Sequence, residues 1–187
     1  LEAIEFASSN EIEKVINTFG RLDVENLDNP NKLVVGILDK YNSALDEEEA
    51  LRLISYEGHN IKYEKDFVEF VLRCIREYPD FYIFIRKLED INNRELKKKF
   101  DSEQVNLVLK MKKTIVEDSL IKVRDTSIIK LILSLSTREV CFSNFFFGSF
   151  VVIGNFDLSF PVYCSNKETF NACTKMASEN GLFIRTN

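Results

Sequence analysis

The chain has 187 residues, of which 45% are hydrophobic and 29% charged, and 25 Lys and Arg against 30 Asp and Glu leave a net charge of −5. Those values suit a globular chain of one ordinary domain and exclude a disordered or fibrous one, while the acidic balance disfavours unspecific attraction to nucleic acid. The longest apolar runs, residues 128–135 and 145–153, fall well short of the roughly 20 residues that cross a bilayer, so no membrane insertion is expected.

Helical periodicity dominates the front of the chain. Ser8 and Glu11 have capping-box spacing; Ile12, Val15, Ile16 and Phe19 then share a face, and Gly20 permits a left-handed stop. Asn29-Pro30 offers an N-cap and a proline at the first helical position, and Leu33, Val34, Ile37, Leu38 and Tyr41 predict a second helix. Asp46 and Glu49 repeat the capping-box spacing, with Glu47 and Glu48 against the positive end of the helix dipole and Gly58 as the stop. Phe67, Phe70, Val71, Cys74, Ile75 and Tyr78 keep helical spacing up to Pro79.

Phe81, Phe84, Ile85 and Leu88 read as a further helical stripe, with a short buried strand at 81–85 as the alternative. From Arg94 to Val116 the pattern stays helical and becomes basic, and a break at Asp101-Ser102 predicts a helical hairpin. Residues 119–136 are ambiguous, because Ile129, Leu131, Leu133 and Leu135 alternate like a strand while the wider run suits a buried helix; helix is the expectation.

Beyond Arg138 β-branched and aromatic residues crowd together. Gly154-Asn155 between residues 151–153 and 156–160 is a two-residue hairpin signal. Ser165 and Glu168 have capping-box spacing, Phe170, Cys173 and Ala177 form an apolar face, and Asn180-Gly181 marks a stop before Leu182-Phe183-Ile184. The expected fold is therefore α+β: a mostly helical N-terminal part of about six helices packed on a small C-terminal β-β-β-α-β unit with an antiparallel hairpin. The chain reads as a single domain over residues 1–187, with a possible subdivision into a helical part at 1–136 and an α+β part at 137–187 sharing a core.

Cys74, Cys141, Cys164 and Cys173 include no Cys-x-x-Cys pair, so reduced thiols are expected. With one histidine, zinc has almost no ligands to draw on, and neither a metal nor a cofactor is expected. The start of the chain shows neither the basic nor the apolar region of an export signal, which points to a cytoplasmic or otherwise intracellular protein.

His59, the sole histidine, sits in a turn-like stretch where a general base has room, although a solvent-facing loop residue is the plainer reading. Pro79-Asp80 with Glu95-Leu96-Lys97 fits the loose Pro-Asp…Glu-x-Lys pattern of metal-dependent nucleases, but Glu95 falls in a basic helix rather than on a strand. Lys97, Lys98 and Lys99, with Arg94, Lys110, Lys112 and Lys113, form a basic helical segment at 94–113 that could meet phosphates, yet it lacks interleaved aromatics. The acidic region from Asp23 to Glu49 is the mirror case, with a basic protein as its functional partner and capping as its plainer explanation.

Phe145, Phe146 and Phe147 are the remaining candidates. Neighbouring strand side chains point to opposite faces, so three consecutive phenylalanines require a strand covered on both faces, a bulge, or a ring left outside as a protein-binding anchor. The leading expectation is a non-catalytic binding or regulatory protein acting through protein contacts, with Phe145, Phe146 and Phe147 as its candidate contact residues. The alternatives are a hydrolase or metal-dependent nuclease built on scattered carboxylates, and nucleic-acid binding through residues 94–113.

Overall fold

The structure, a computed structural model, describes residues 3–24, 33–54 and 58–186. Its strands are β1 (Ile4–Phe6), β2 (Val34–Asp39), β3 (Tyr82–Ile85), β4 (Leu120–Val123), β5 (Ser143–Phe146), β6 (Phe150–Ile153), β7 (Phe160–Cys164) and β8 (Phe183–Arg185). Its helices are α1 (Ser9–Phe19), α2 (Glu47–Leu53), α3 (His59–Glu77), α4 (Asn93–Lys99), α5 (Ser102–Thr114), α6 (Thr126–Thr137) and α7 (Lys167–Glu179), with 3-10 turns at Leu88–Asp90 and Phe156–Leu158. The strands form an eight-stranded antiparallel sheet in the order β1-β4-β3-β5-β6-β7-β2-β8.

That architecture overturns the expected helical front on a small C-terminal β unit. Helices and strands are interleaved along the chain, four of the strands come from residues 1–136, and β2 is inserted between β7 and β8. Val34, Val35 and Ile37 are β-branched and Gly36 is a poor helix former, so the run predicted as a second helix lies as β2. Its supposed start, Asn29-Pro30, lies outside the described residues. Residues 82–85 form β3 because Tyr82 and Phe84 face one core and Ile83 and Ile85 the other; buried on both faces, the run carries no strand alternation to read.

The ambiguous stretch at 119–136 holds two elements. Leu120–Val123 pairs with β1 and β3, and Asp125 then caps α6 by accepting from the Ser127 N–H. Gly154-Asn155 is not a two-residue hairpin; the chain passes through the 3-10 turn at Phe156–Leu158 before β7 begins. The tight turn is at Phe147, Gly148 and Ser149 between β5 and β6, where Gly148 takes φ 69°. Asn166 rather than Ser165 caps α7, and Gly58 does not end α2 but precedes α3 with φ 93°.

Two cores enclose the sheet. The larger joins Phe67, Phe70 and Val71 of α3, Ile132 and Leu135 of α6, and Phe170 and Cys173 of α7 to the sheet face of Ile83, Phe145, Val152 and Phe160. The smaller lies on the opposite face, where Val15 and Phe19 of α1 cover Phe84, Phe146 and Val151. Close approach fixes α7 over β2: a Cβ on Gly36 would lie 2.6 Å from Ile184 Cγ2 and 2.8 Å from Phe170 Cε2. Among the described residues no helix is long and apolar enough to cross a membrane.

Candidate functional site

The candidates read from the sequence scatter in space. Phe145, Phe146 and Phe147 are 0%, 0% and 1% exposed: Phe145 and Phe147 enter the larger core and Phe146 the smaller, so none of the three rings is at the surface. Asp80 pairs with Lys14 at 2.6 Å, whereas Glu95 approaches Lys99 along α4. Lys99 and Lys112 turn inward and donate to the carbonyls of Arg138 and Ile91, which divides the basic segment. His59 is not a loop residue but opens α3, and it is only 3% exposed.

The cluster around His59 is where polar groups converge. At the end of β2 the buried Asp39 accepts from the Tyr41 N–H at 3.0 Å, from Ser159 Oγ at 2.8 Å and from Arg185 Nη2 at 3.1 Å, which holds the chain for the turn that follows. Tyr41 thereby comes against His59, with Oη 3.1 Å from Nε2. On the other side of the ring His59 Nδ1 lies 3.0 Å from Asn60 Oδ1, and Asn60 Nδ2 donates to Glu139 Oε1 at 3.0 Å. Because the Asn60 amide donates to Glu139, its oxygen faces the imidazole; this assigns the proton to Nδ1 and leaves Nε2 to accept from the Tyr41 hydroxyl.

Glu139 follows α6, and its Oε1 also accepts from the Asp157 N–H at 2.8 Å. Glu139 and Asp157 both take φ 57° and Leu158 takes 53°, so three of the five left-handed non-glycine residues among the described ones meet here. Such backbone is strained, and it persists where surrounding contacts hold it, as the Glu139 carboxylate does across the two loops. Burial raises the Asp157 carboxyl above its ordinary range, and the neighbouring Glu139 charge adds to the rise.

These loops border an open cleft of about 550 Å³ that reaches Ile54, Ile61 and Lys98. Its other cations are committed: Arg138 forks onto Glu64 at 2.8 and 2.9 Å, and Lys99 is bound to the Arg138 carbonyl. The cleft therefore offers two carboxylates beside apolar isoleucine surface, with the exposed Lys98 also among its lining. The Tyr41 hydroxyl, which contacts His59 rather than lining the cleft, is held above the ordinary tyrosine range by burial and by Tyr63, so it stays protonated at neutral pH. Among the described residues no group of three His, Cys, Asp or Glu is placed to hold a metal ion.

Apart from His59, sequence reading missed this cluster. Asn60 and Glu139 are 79 residues apart, and no spacing rule links a turn glutamate to the first turn of a distant helix. The one available signal was the acidic Asp157 just beyond Gly154-Asn155, in a loop longer than a hairpin allows. Compared with protein-family models, with curated proteins and with solved structures, the chain matches none.

Proposed function

We propose that this is a non-catalytic binding or regulatory protein that acts through protein contacts, and that its cleft takes a lysine or arginine side chain of a partner. The observation carrying this reading is the meeting of Glu139 and Asp157 in the open cleft. A cation there relieves the mutual repulsion of two carboxylates, and Ile54 and Ile61 offer apolar surface to the aliphatic stem of a long basic side chain. The buried thiols Cys74, Cys141, Cys164 and Cys173, none of them in a disulfide, support an intracellular place of action.

Fluorescence anisotropy with labelled lysine- or arginine-bearing peptides and their neutral analogues tests it. Basic peptides are expected to bind more tightly, to weaken with ionic strength, and to lose about tenfold in affinity to Asp157→Asn or Glu139→Gln. Equal binding of basic and neutral peptides, or variants that bind like the parent, would overturn the reading.

The hydrogen-bonded line from Tyr41 through His59 and Asn60 to Glu139 favours a second reading, a hydrolase using scattered carboxylates. Turnover on ester and phosphoester substrates that disappears in His59→Ala would support it. Turnover that survives that substitution would remove it.

A further inference from the structure

A second concavity, of about 580 Å³, lies where the last turns of α3 approach the end of β4 and the start of α6. Leu72, Ile75, Phe81 and Ile129 give it an apolar floor, and Arg76, Lys122 and Arg124 are its charged lining, with no acidic residue among the lining groups. Lys122 is held by Glu11 at 3.1 Å. Arg124 reaches Glu5 only at 3.5 Å with both side chains well exposed, a pairing that exchanges at little cost. Arg76 is exposed and has no ion pair among the described residues.

The same chain carries a segment of opposite chemistry. α2 has seven residues, none fully buried, and Leu51 stands 63% exposed behind Asp46, Glu47, Glu48 and Glu49. Asp46 and Glu49 cap each other, leaving Glu47 and Glu48 turned outward. So short a helix is marginal when it buries little, and an apolar surface that covers it would stabilise it.

From these two features we infer that α2 of one copy docks into the cationic groove of a second copy, with Leu51 against the apolar floor and Glu47 and Glu48 facing Arg76 and Arg124. Within one chain the two lie at opposite ends of α3, a helix of 19 residues and roughly 28 Å. A two-fold pair with the α3 helices antiparallel presents each α2 to the other copy's groove and closes without leaving a free site. Charge complementarity fixes the occupant, because the acidic helix is matched by a groove whose lining charges are all positive. The groove shares no lining residue with the cleft at Glu139 and Asp157; α2 borders that cleft only through Ile54, and none of Arg76, Arg124, Glu47 and Glu48 lines it, so the substitutions leave the peptide experiment above a separate test.

Sedimentation velocity on the full chain, from low micromolar to near-millimolar concentration, tests the inference. The parent is expected to form a dimer as concentration rises. Arg76→Glu with Arg124→Glu, and separately Glu47→Lys with Glu48→Lys, each raise the dissociation constant by about tenfold or more. An equimolar mixture of the two variants restores the dimer, since each unlike pair regains two complementary contacts. The substituted positions are all exposed, and unchanged circular dichroism and melting temperature separate lost docking from lost fold. A parent that stays monomeric throughout overturns the inference and leaves the groove to a foreign acidic partner. A dimer indifferent to both pairs of substitutions overturns it equally.

Discussion

Phe145 and Phe146 are consecutive on β5, yet their side chains lie in different cores. Phe145 packs with Ile83 and Val152 in the larger core, and Phe146 meets Phe19 of α1 on the opposite face at a ring separation of 5.4 Å. Both are fully buried, so Phe145→Ala and Phe146→Ala are each expected to cost about 3–5 kcal/mol in urea denaturation. The second substitution removes the platform of α1 and should also speed hydrogen exchange in that helix ahead of the rest. A cost below about 1 kcal/mol for either would contradict the two-core arrangement.

Gly36 is needed for room rather than for backbone freedom. A methyl group there would press on the β-branched Ile184 and the buried Phe170 ring, at 2.6 and 2.8 Å, and neither has space to yield cheaply. Gly36→Ala is therefore expected to destabilise by about 1–3 kcal/mol, although alanine is ordinarily harmless in a strand. A melting temperature equal to the parent's would show that α7 is not seated as closely on β2 as described.

The Glu64 carboxylate receives the Arg138 guanidinium at 2.8 and 2.9 Å and the Thr137 hydroxyl at 2.6 Å, with the paired side chains 14% and 18% exposed. Burial alone would raise its pKa, but these donors outweigh burial and hold it below the usual glutamate range. A carboxyl depressed in the folded state binds its proton more weakly there than in the unfolded chain. Its stabilisation is thus complete above the unfolded value near 4.5 and is lost as pH falls through the lower folded value. Glu64→Gln should cost about 2–3 kcal/mol at neutral pH by leaving Arg138 uncompensated, and the gap to the parent should narrow in acid. Urea titrations at neutral and acidic pH check the sign; a gap that widens in acid contradicts it.

All four thiols are buried, and burial raises those of Cys74 and Cys141, the latter to about 12. Cys173 is raised by its hydrogen bond with Cys164 and then by burial. A thiol reagent at neutral pH should therefore label the native protein at a small fraction of the unfolded rate, with the four sites becoming reactive together on unfolding. Rapid native labelling at any of them would show local opening at that cysteine.

The parts of the fold legible in the sequence are those whose determinants are local. Ser8 with Glu11 and Asp46 with Glu49 each close a capping box within a few residues, so those two helix starts follow from spacing, whereas the same spacing at Ser165 and Glu168 missed the true cap, Asn166, by one residue. The periodicity of α3 up to Pro79 is equally local, because a helix satisfies its own backbone hydrogen bonds. A strand cannot: β3 needs β4 and β5, and β2 needs β7 and β8, so a short apolar run such as 34–39 or 82–85 is ambiguous until its neighbours are placed.

By itself, then, the sequence determined the composition of a globular chain, the capped starts of α1 and α2, and the requirement that three consecutive phenylalanines be resolved by two covered faces, a bulge or an exposed ring. Only the tertiary structure decided that both faces are covered, with α1 burying Phe146 and the larger core burying Phe145 and Phe147. It alone brought His59, Glu139 and Asp157 to one cleft from separate elements, with Tyr41 against the imidazole. The physical reason is that strand pairing and the joining of turns are long-range: side chains far apart in the chain become neighbours only when the sheet order fixes which loops share an end.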